Sequence, residues 1–113
     1  MDYETARNLL VSQGMATEEH SDALLTHLKQ GHPPIPGQIT SILLALKVVF
    51  EALRDVGQFD RQLACALYLL STESRHQFNL GRKRGVAWPP LLDEDLTRIA
   101  TAVKSIFVGT WQG

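Results

Sequence analysis

The chain has 113 residues, 44% of them hydrophobic and 20% charged, with eleven Lys and Arg against twelve Asp and Glu. That size and composition describe one globular domain able to bury about two-thirds of its unfolded surface in a single core, and a net charge of −1 argues against a general nucleic-acid binder, which is normally strongly basic. A single cysteine, Cys65, excludes an internal disulfide and any multi-cysteine metal site, so a reducing, cytoplasmic setting is expected.

The N-terminal MDYETARNLL opens with acidic residues and lacks the basic stretch and apolar run of a secretory signal. Asp2 is placed to cap a first helix that stops at Gly14, with Tyr3, Ala6, Leu9, Leu10 and Gln13 near one face. Thr17 offers the next cap. Glu18 and Glu19 come after it in the turn where the helix dipole favours negative charge, and this second helix runs to Gly31 with Ala23, Leu24, Leu25 and Leu28 as a narrow apolar face. Residues 1–31 are thus expected to form a helical hairpin laid across a central helix over residues 39–56. The connection His32-Pro33-Pro34-Ile35-Pro36-Gly37 cannot be helical, because each proline biases the residue before it towards extended geometry. It reads as a stiff spacer. A polyproline ligand for an aromatic groove is the other reading, but the stretch is short and lacks a flanking arginine.

ITSILLALKVVFEALRDV, residues 39–56, is the longest apolar-rich run between turn signals. At 100° per residue its polar members Thr40, Lys47, Glu51, Arg54 and Asp55 gather into one stripe roughly 100° wide. A helix apolar over the rest of its circumference needs partners on several sides, which makes it the expected centre of the domain. Lys47, Glu51 and Arg54 make it a poor membrane span. Gly57 is expected to close it, and Asp60 to cap a fourth helix that runs to Gly81. In that helix Leu63, Ala64, Leu67, Leu70 and Ser74 have 3-4 spacing, widened by Ala66, Tyr68 and Leu69, so residues 39–81 read as a central antiparallel pair. After Gly85 and VAWPPLL, the acidic turn Asp93-Glu94-Asp95 opens a last helix over 92–108, with Leu96, Ile99, Ala100, Val103, Ile106 and Phe107 expected to be buried and Gly109 as its stop. Left-handed backbone is expected at two or more of Gly57, Gly81 and Gly109. No strand or hairpin pattern competes. The expected fold is all-α, a single compact bundle of about five helices around the central helix 39–56.

PPIPGQITSILLALKVVFEALR together with WPPLLDEDLTRIATAVKSIFVGTWQG resembles a family of small cyanobacterial proteins without an established activity, some of whose members carry the name dethiobiotin synthetase. The resemblance covers most of the chain from Pro33 onward and implies a cytoplasmic cyanobacterial protein of unassigned role. It does not imply the synthetase reaction. Such an ATP-dependent enzyme needs a phosphate-cradling G-x-x-x-x-G-K-[ST] after a strand, and neither that spacing nor a Gly-Lys-Ser/Thr occurs here.

Several side chains invite a chemical reading. Glu73-x-x-His76 is half of a carboxylate-bridged di-metal motif, but no second Glu-x-x-His exists: Glu4 and Glu51 each have an arginine three residues later. His20 and His27 lie seven apart with no third ligand in register. Cys65, between Ala64 and Ala66 in an apolar segment, reads as a small core residue. Ser71, Thr72 and Ser74 lie near His76 in sequence, without an orienting acid or an oxyanion hole. No catalytic residue, cofactor site or metal site is therefore assigned.

Charge carries the most suggestive pattern. Residues 61–85 hold Arg61, Arg75, Arg82, Lys83 and Arg84 against Glu73 alone, while residues 1–31 hold Asp2, Glu4, Glu18, Glu19 and Asp22 against Arg7 and Lys29. Basic groups beside Trp88 suit an acidic protein surface, or a phosphate with a stacked base; the bland alternative is a solvated loop whose charge only aids solubility. Trp111, just past the stop at Gly109, calls for something to cover it, and tryptophan and arginine are the residues most enriched at interface hot spots. The expected role is a non-catalytic interaction or accessory protein using Arg75, Arg82, Lys83, Arg84, Trp88 and Trp111, with a protein partner or a second copy as a homodimer. A nucleic-acid-binding regulator using residues 75–88 is the alternative, and an enzyme with an unrecognised site the third.

Overall fold

Asp2 Oδ1 accepts the Thr5 backbone N–H at 2.8 Å and opens the first helix, α1 (Tyr3–Met15). In the computed structural model, which describes residues 1–15 and 21–113, α1 leads to α2 (Leu24–Lys29), α3 (Gln38–Leu53), α4 (Arg61–Tyr68), α5 (Ser74–Lys83) and α6 (Leu92–Val108). A π-helical turn, Leu69–Glu73, joins α4 to α5 without a break, so the described residues form five helical rods and no strand. The sequence does not announce that turn. At its end the Ser74 backbone N–H reaches back five residues to Leu69 O, while the Ser74 hydroxyl donates to Leu70 O, the carbonyl an α-helical N–H would have used.

The core is one cluster in which Ile42, Leu46, Val49 and Phe50 of α3 meet Leu63, Leu67 and Leu70 of the α4 rod, Leu96, Ile99 and Val103 of α6, and Ala6 and Leu10 of α1. The central position of α3 is the consequence of its apolar circumference. Its immediate neighbours are α1 and α6, and α1 in turn lies against α4. The expected direct pairing of α3 with α4 is therefore replaced by a layer in which α1 sits against both. Gly14 explains how α1 gets there. A Cβ on Gly14 would lie 2.7 Å from Ala66 O, so glycine here permits close approach of two helices and lies inside α1, where the sequence suggests a stop.

Glycine ends helices at two of the expected positions, Gly31 and Gly109, but not at Gly57 or Gly81. Of Gly57, Gly81 and Gly109, only Gly109 has a left-handed backbone, at φ +86; Gly81 lies within α5, and α3 already ends at Leu53, before Gly57. The stop for α5 is Gly85 (φ +89), where Gly85 N–H donates to Arg82 O and Val86 N–H to Gly81 O. Gly31 (φ +75) ends α2 in the same manner, with Gly31 N–H on Leu28 O and His32 N–H on His27 O. Helix α2 is shorter than the expected 17–31 and packs on α5. The expected cap Thr17, with Glu18, Glu19 and His20, lies outside the described residues. The proline connection is fastened by the buried Gln38. Its Oε1 accepts Ile35 N–H at 3.1 Å, and its Nε2 donates to Gln13 Oε1 at 3.0 Å and to Asp22 O at 2.7 Å.

On α6 the buried face is Leu92, Leu96, Ile99, Ala102, Val103 and Ile106. Phe107, expected inside, is 52% exposed and rests on Phe59 at a tilt, ring centroids 5.3 Å apart. It stands one residue, or 100°, beyond Ile106. Ser105 takes a buried place, donating to Thr101 O at 2.9 Å and accepting the Gln112 N–H at 2.8 Å.

Asp60 links the start of α4 to α1. Its Oδ1 accepts Leu63 N–H at 2.8 Å as the helix cap, and its two oxygens take a forked pair from Arg7 Nε and Nη2, each at 3.0 Å. The Arg7 hydrogen bond first, and the Leu63 amide second, hold the Asp60 carboxyl below its ordinary value of 3.8. A carboxyl depressed in the folded state stabilises above its unfolded pKa, and that contribution is lost as pH falls through the folded pKa. Asp60→Asn keeps a capping oxygen but removes the charge. The gap in stability between the wild type and this variant should be full near neutrality and shrink below about pH 4, as read from urea midpoints across pH. Asp60→Ala should cost about 1 kcal/mol more through the lost cap.

Candidate interaction site

Arg75, Arg82, Lys83 and Arg84 all ride on α5 and its C-terminal stop, and Trp88 comes back onto that helix because the turn at Gly85 reverses the chain. Trp88 Nε1 donates to Phe78 O at 2.9 Å, and its ring stacks on Phe78 with centroids 5.9 Å apart. A Cβ at Gly81 would lie 2.4 Å from Trp88 Cζ2, so the indole occupies the space that glycine leaves on α5. Trp88 is half-buried and forms part of the support beneath the basic loop.

The four cations divide into two pairs. Arg75 is committed to the fold: Nη1 meets Asp93 Oδ1 at 2.6 Å, and Nη2 donates to Asp93 O at 2.9 Å and to Thr97 Oγ1 at 3.0 Å. Arg82 approaches the other Asp93 oxygen at 3.7 Å, and both guanidinium groups lie over the Phe78 ring, at 5.1 and 4.6 Å. Lys83 and Arg84 are exposed and make no ion pair among the described residues. Among the described residues Asp93 is thus the one carboxylate that pairs with any of the four cations. Asp93 and Phe78 are members of the site that the sequence does not single out, since there Asp93 is only a favourable acid at a helix start. Eighteen residues separate Arg75 from Asp93, and no spacing rule joins groups on two different helices.

Trp111 is elsewhere. Past Gly109 the tail turns back, fastened by Ser105, and Trp111 meets Phe50 edgewise at 5.1 Å with Lys47 Nζ 3.9 Å above the indole ring. It forms one wall of a groove of about 580 Å³ between α3 and α6, lined also by Leu43, Lys47, Thr97, Thr101 and Ala102. Thr97 is the link to the basic region, since it lines the groove and receives Arg75. The expected residues thus lie in two neighbouring places joined along the first half of α6.

The residues weighed for chemistry are dispersed. Glu73 accepts from Gln77 at 2.9 Å within its own rod, and His76 is exposed. His27 contacts Pro33 O at 3.1 Å through Nδ1 and Asp22 at 3.6 Å through Nε2. Cys65 is half-buried. Ser71 donates to Tyr68 O at 3.1 Å. Among the described residues no three His, Cys, Asp or Glu side chains come together as a metal site, and no helix is long and apolar enough to cross a membrane. No protein-family model, curated protein or solved structure matches this chain.

Proposed function

We propose that the protein acts by contact, docking an acidic protein surface on the end of α5 through Lys83 and Arg84, with Arg82 as a third, loosely held cation. The observation that supports this reading is that, of the four cations, only Arg75 and Arg82 pair with a carboxylate, that of Asp93, while Lys83 and Arg84 stand exposed and unpaired at the end of α5, beside a turn that Trp88 fastens to Phe78 O. Uncompensated charge on a fixed scaffold steers a complementary partner and fixes its register. A protein surface suits the site better than a stacked base, because the indole of Trp88 already lies on Phe78 and its N–H on Phe78 O. The resemblance of the chain from Pro33 onward to small cyanobacterial proteins supports a cytoplasmic partner in such a cell.

The test is recovery of partners from extract of the native host on wild-type protein and on Lys83→Glu/Arg84→Glu, at low and high salt. An acidic protein retained by the wild type at low salt, and bound about tenfold more weakly by the variant, is the expected result. Equal recovery on both, or recovery of nuclease-sensitive material only, would overturn it.

A further inference from the structure

The opposite end of α6 carries a second surface, about 20 Å along the helix from Asp93, which stands or falls without the basic one. Phe107, Val108 and Val56 are each at least half exposed, at 52, 57 and 50%. The α3–α4 loop meets the end of α6 at two points. Phe59 rests on Phe107, and Arg54 O lies 3.7 Å from where a Cβ of Gly109 would be. Val56 therefore belongs to the same end of the bundle as Phe107 and Val108. Three large side chains held outward together are more than the scattered apolar residues of an ordinary surface.

The charges beside this patch indicate what covers it. Lys104 shares the exposed face of α6 with Phe107 and Val108, three and four residues on. Asp55 adjoins Val56 on the loop. Both are exposed, and neither makes an ion pair among the described residues, although neighbouring Arg54 is paired with Glu51. An apolar patch that carries an unpaired cation on α6 and an unpaired anion on the α3–α4 loop offers both signs to a second copy, and a twofold rotation brings the cation of each copy to the anion of the other, as an isologous contact requires. We infer that this end of the bundle is a homodimer surface, with Phe107 as its anchor and Lys104 of each copy facing Asp55 of the other.

Sedimentation equilibrium of the full chain over a wide concentration range tests it. The wild type should associate reversibly to a dimer, and Phe107→Glu should weaken association at least about tenfold. Lys104→Glu and Asp55→Lys should each weaken it about tenfold, while the double variant Lys104→Glu/Asp55→Lys should recover most of the loss because each pair re-forms with its signs exchanged. All three positions are exposed, and circular dichroism of each variant is the check that it is folded. A wild-type monomer at every concentration, a dimer indifferent to Phe107→Glu, or a double variant as weak as the singles would each overturn the inference.

Discussion

Replacing Leu46 by alanine should lower the free energy of unfolding by about 2–5 kcal/mol, through lost burial and a cavity that the surrounding helices can only partly close. Leu46 is fully buried at the middle of α3, in the cluster that unites α1, α3, the α4 rod and α6. Leu44, two residues earlier on the same helix, is 53% exposed, and its alanine variant should stay within about 0.5 kcal/mol of wild type. Urea midpoints of the two variants separate the effect of burial from that of helix propensity, since both make the same substitution. Equal midpoints would remove α3 from the centre of the fold. For a domain whose whole stability is on the order of 5–15 kcal/mol, the larger figure would leave Leu46→Ala close to unfolding at room temperature.

The position of α3 is legible in the sequence because an amphipathic pattern is a property of one helix considered alone. The same holds for the caps at Asp2 and Asp60 and for the stop at Gly109, where one residue meets the needs of its own helix end. Gly14 and Gly81 look like stops because a sequence shows a missing side chain but not what fills its place. At Gly14 that is the backbone of α4, and at Gly81 the ring of Trp88. Phe107 and Ile106 are equally apolar neighbours 100° apart, and only the direction of the core decides which turns inward. Burying Ser105 in place of a larger residue serves the tail, whose backbone it holds through Gln112.

The candidate site divides along the same line. The abundance of cations near 75–84 is a matter of composition and is visible at once. The cancellation of part of it is not, because Asp93 lies on another helix and reaches Arg75 and Arg82 only after α5 and α6 have met. Lys83 and Arg84 thus acquire their distinction from the fold, as the two members of the cluster with no internal acid. Trp111 obeys the same logic. The expectation that something covers it is met in part: Phe50 and Lys47, both on a helix more than fifty residues earlier, contact its ring, and the side chain stays 36% exposed.

Gly81 and Trp88 should behave as a single unit. Trp88→Ala should cost about 3 kcal/mol, towards the lower end for a tryptophan because the ring is only half-buried. Gly81→Ala in the wild type should cost about 1–3 kcal/mol as well, since its methyl group would fall 2.4 Å from a rigid ring that is itself tied to Phe78 O. With Trp88 removed, the same glycine replacement meets no obstacle. Alanine then gains its intrinsic advantage in a helix, up to about 1 kcal/mol, so the substitution should change sign and stabilise. Chemical denaturation of the four proteins measures this directly, and Trp88 emission, observed in a Trp111→Phe background, should shift towards that of a solvated indole in Gly81→Ala. Additive effects, with Gly81→Ala destabilising equally in both backgrounds, would mean that Trp88 does not rest on α5 and that the basic loop lacks the rigid support on which its role as a docking surface depends.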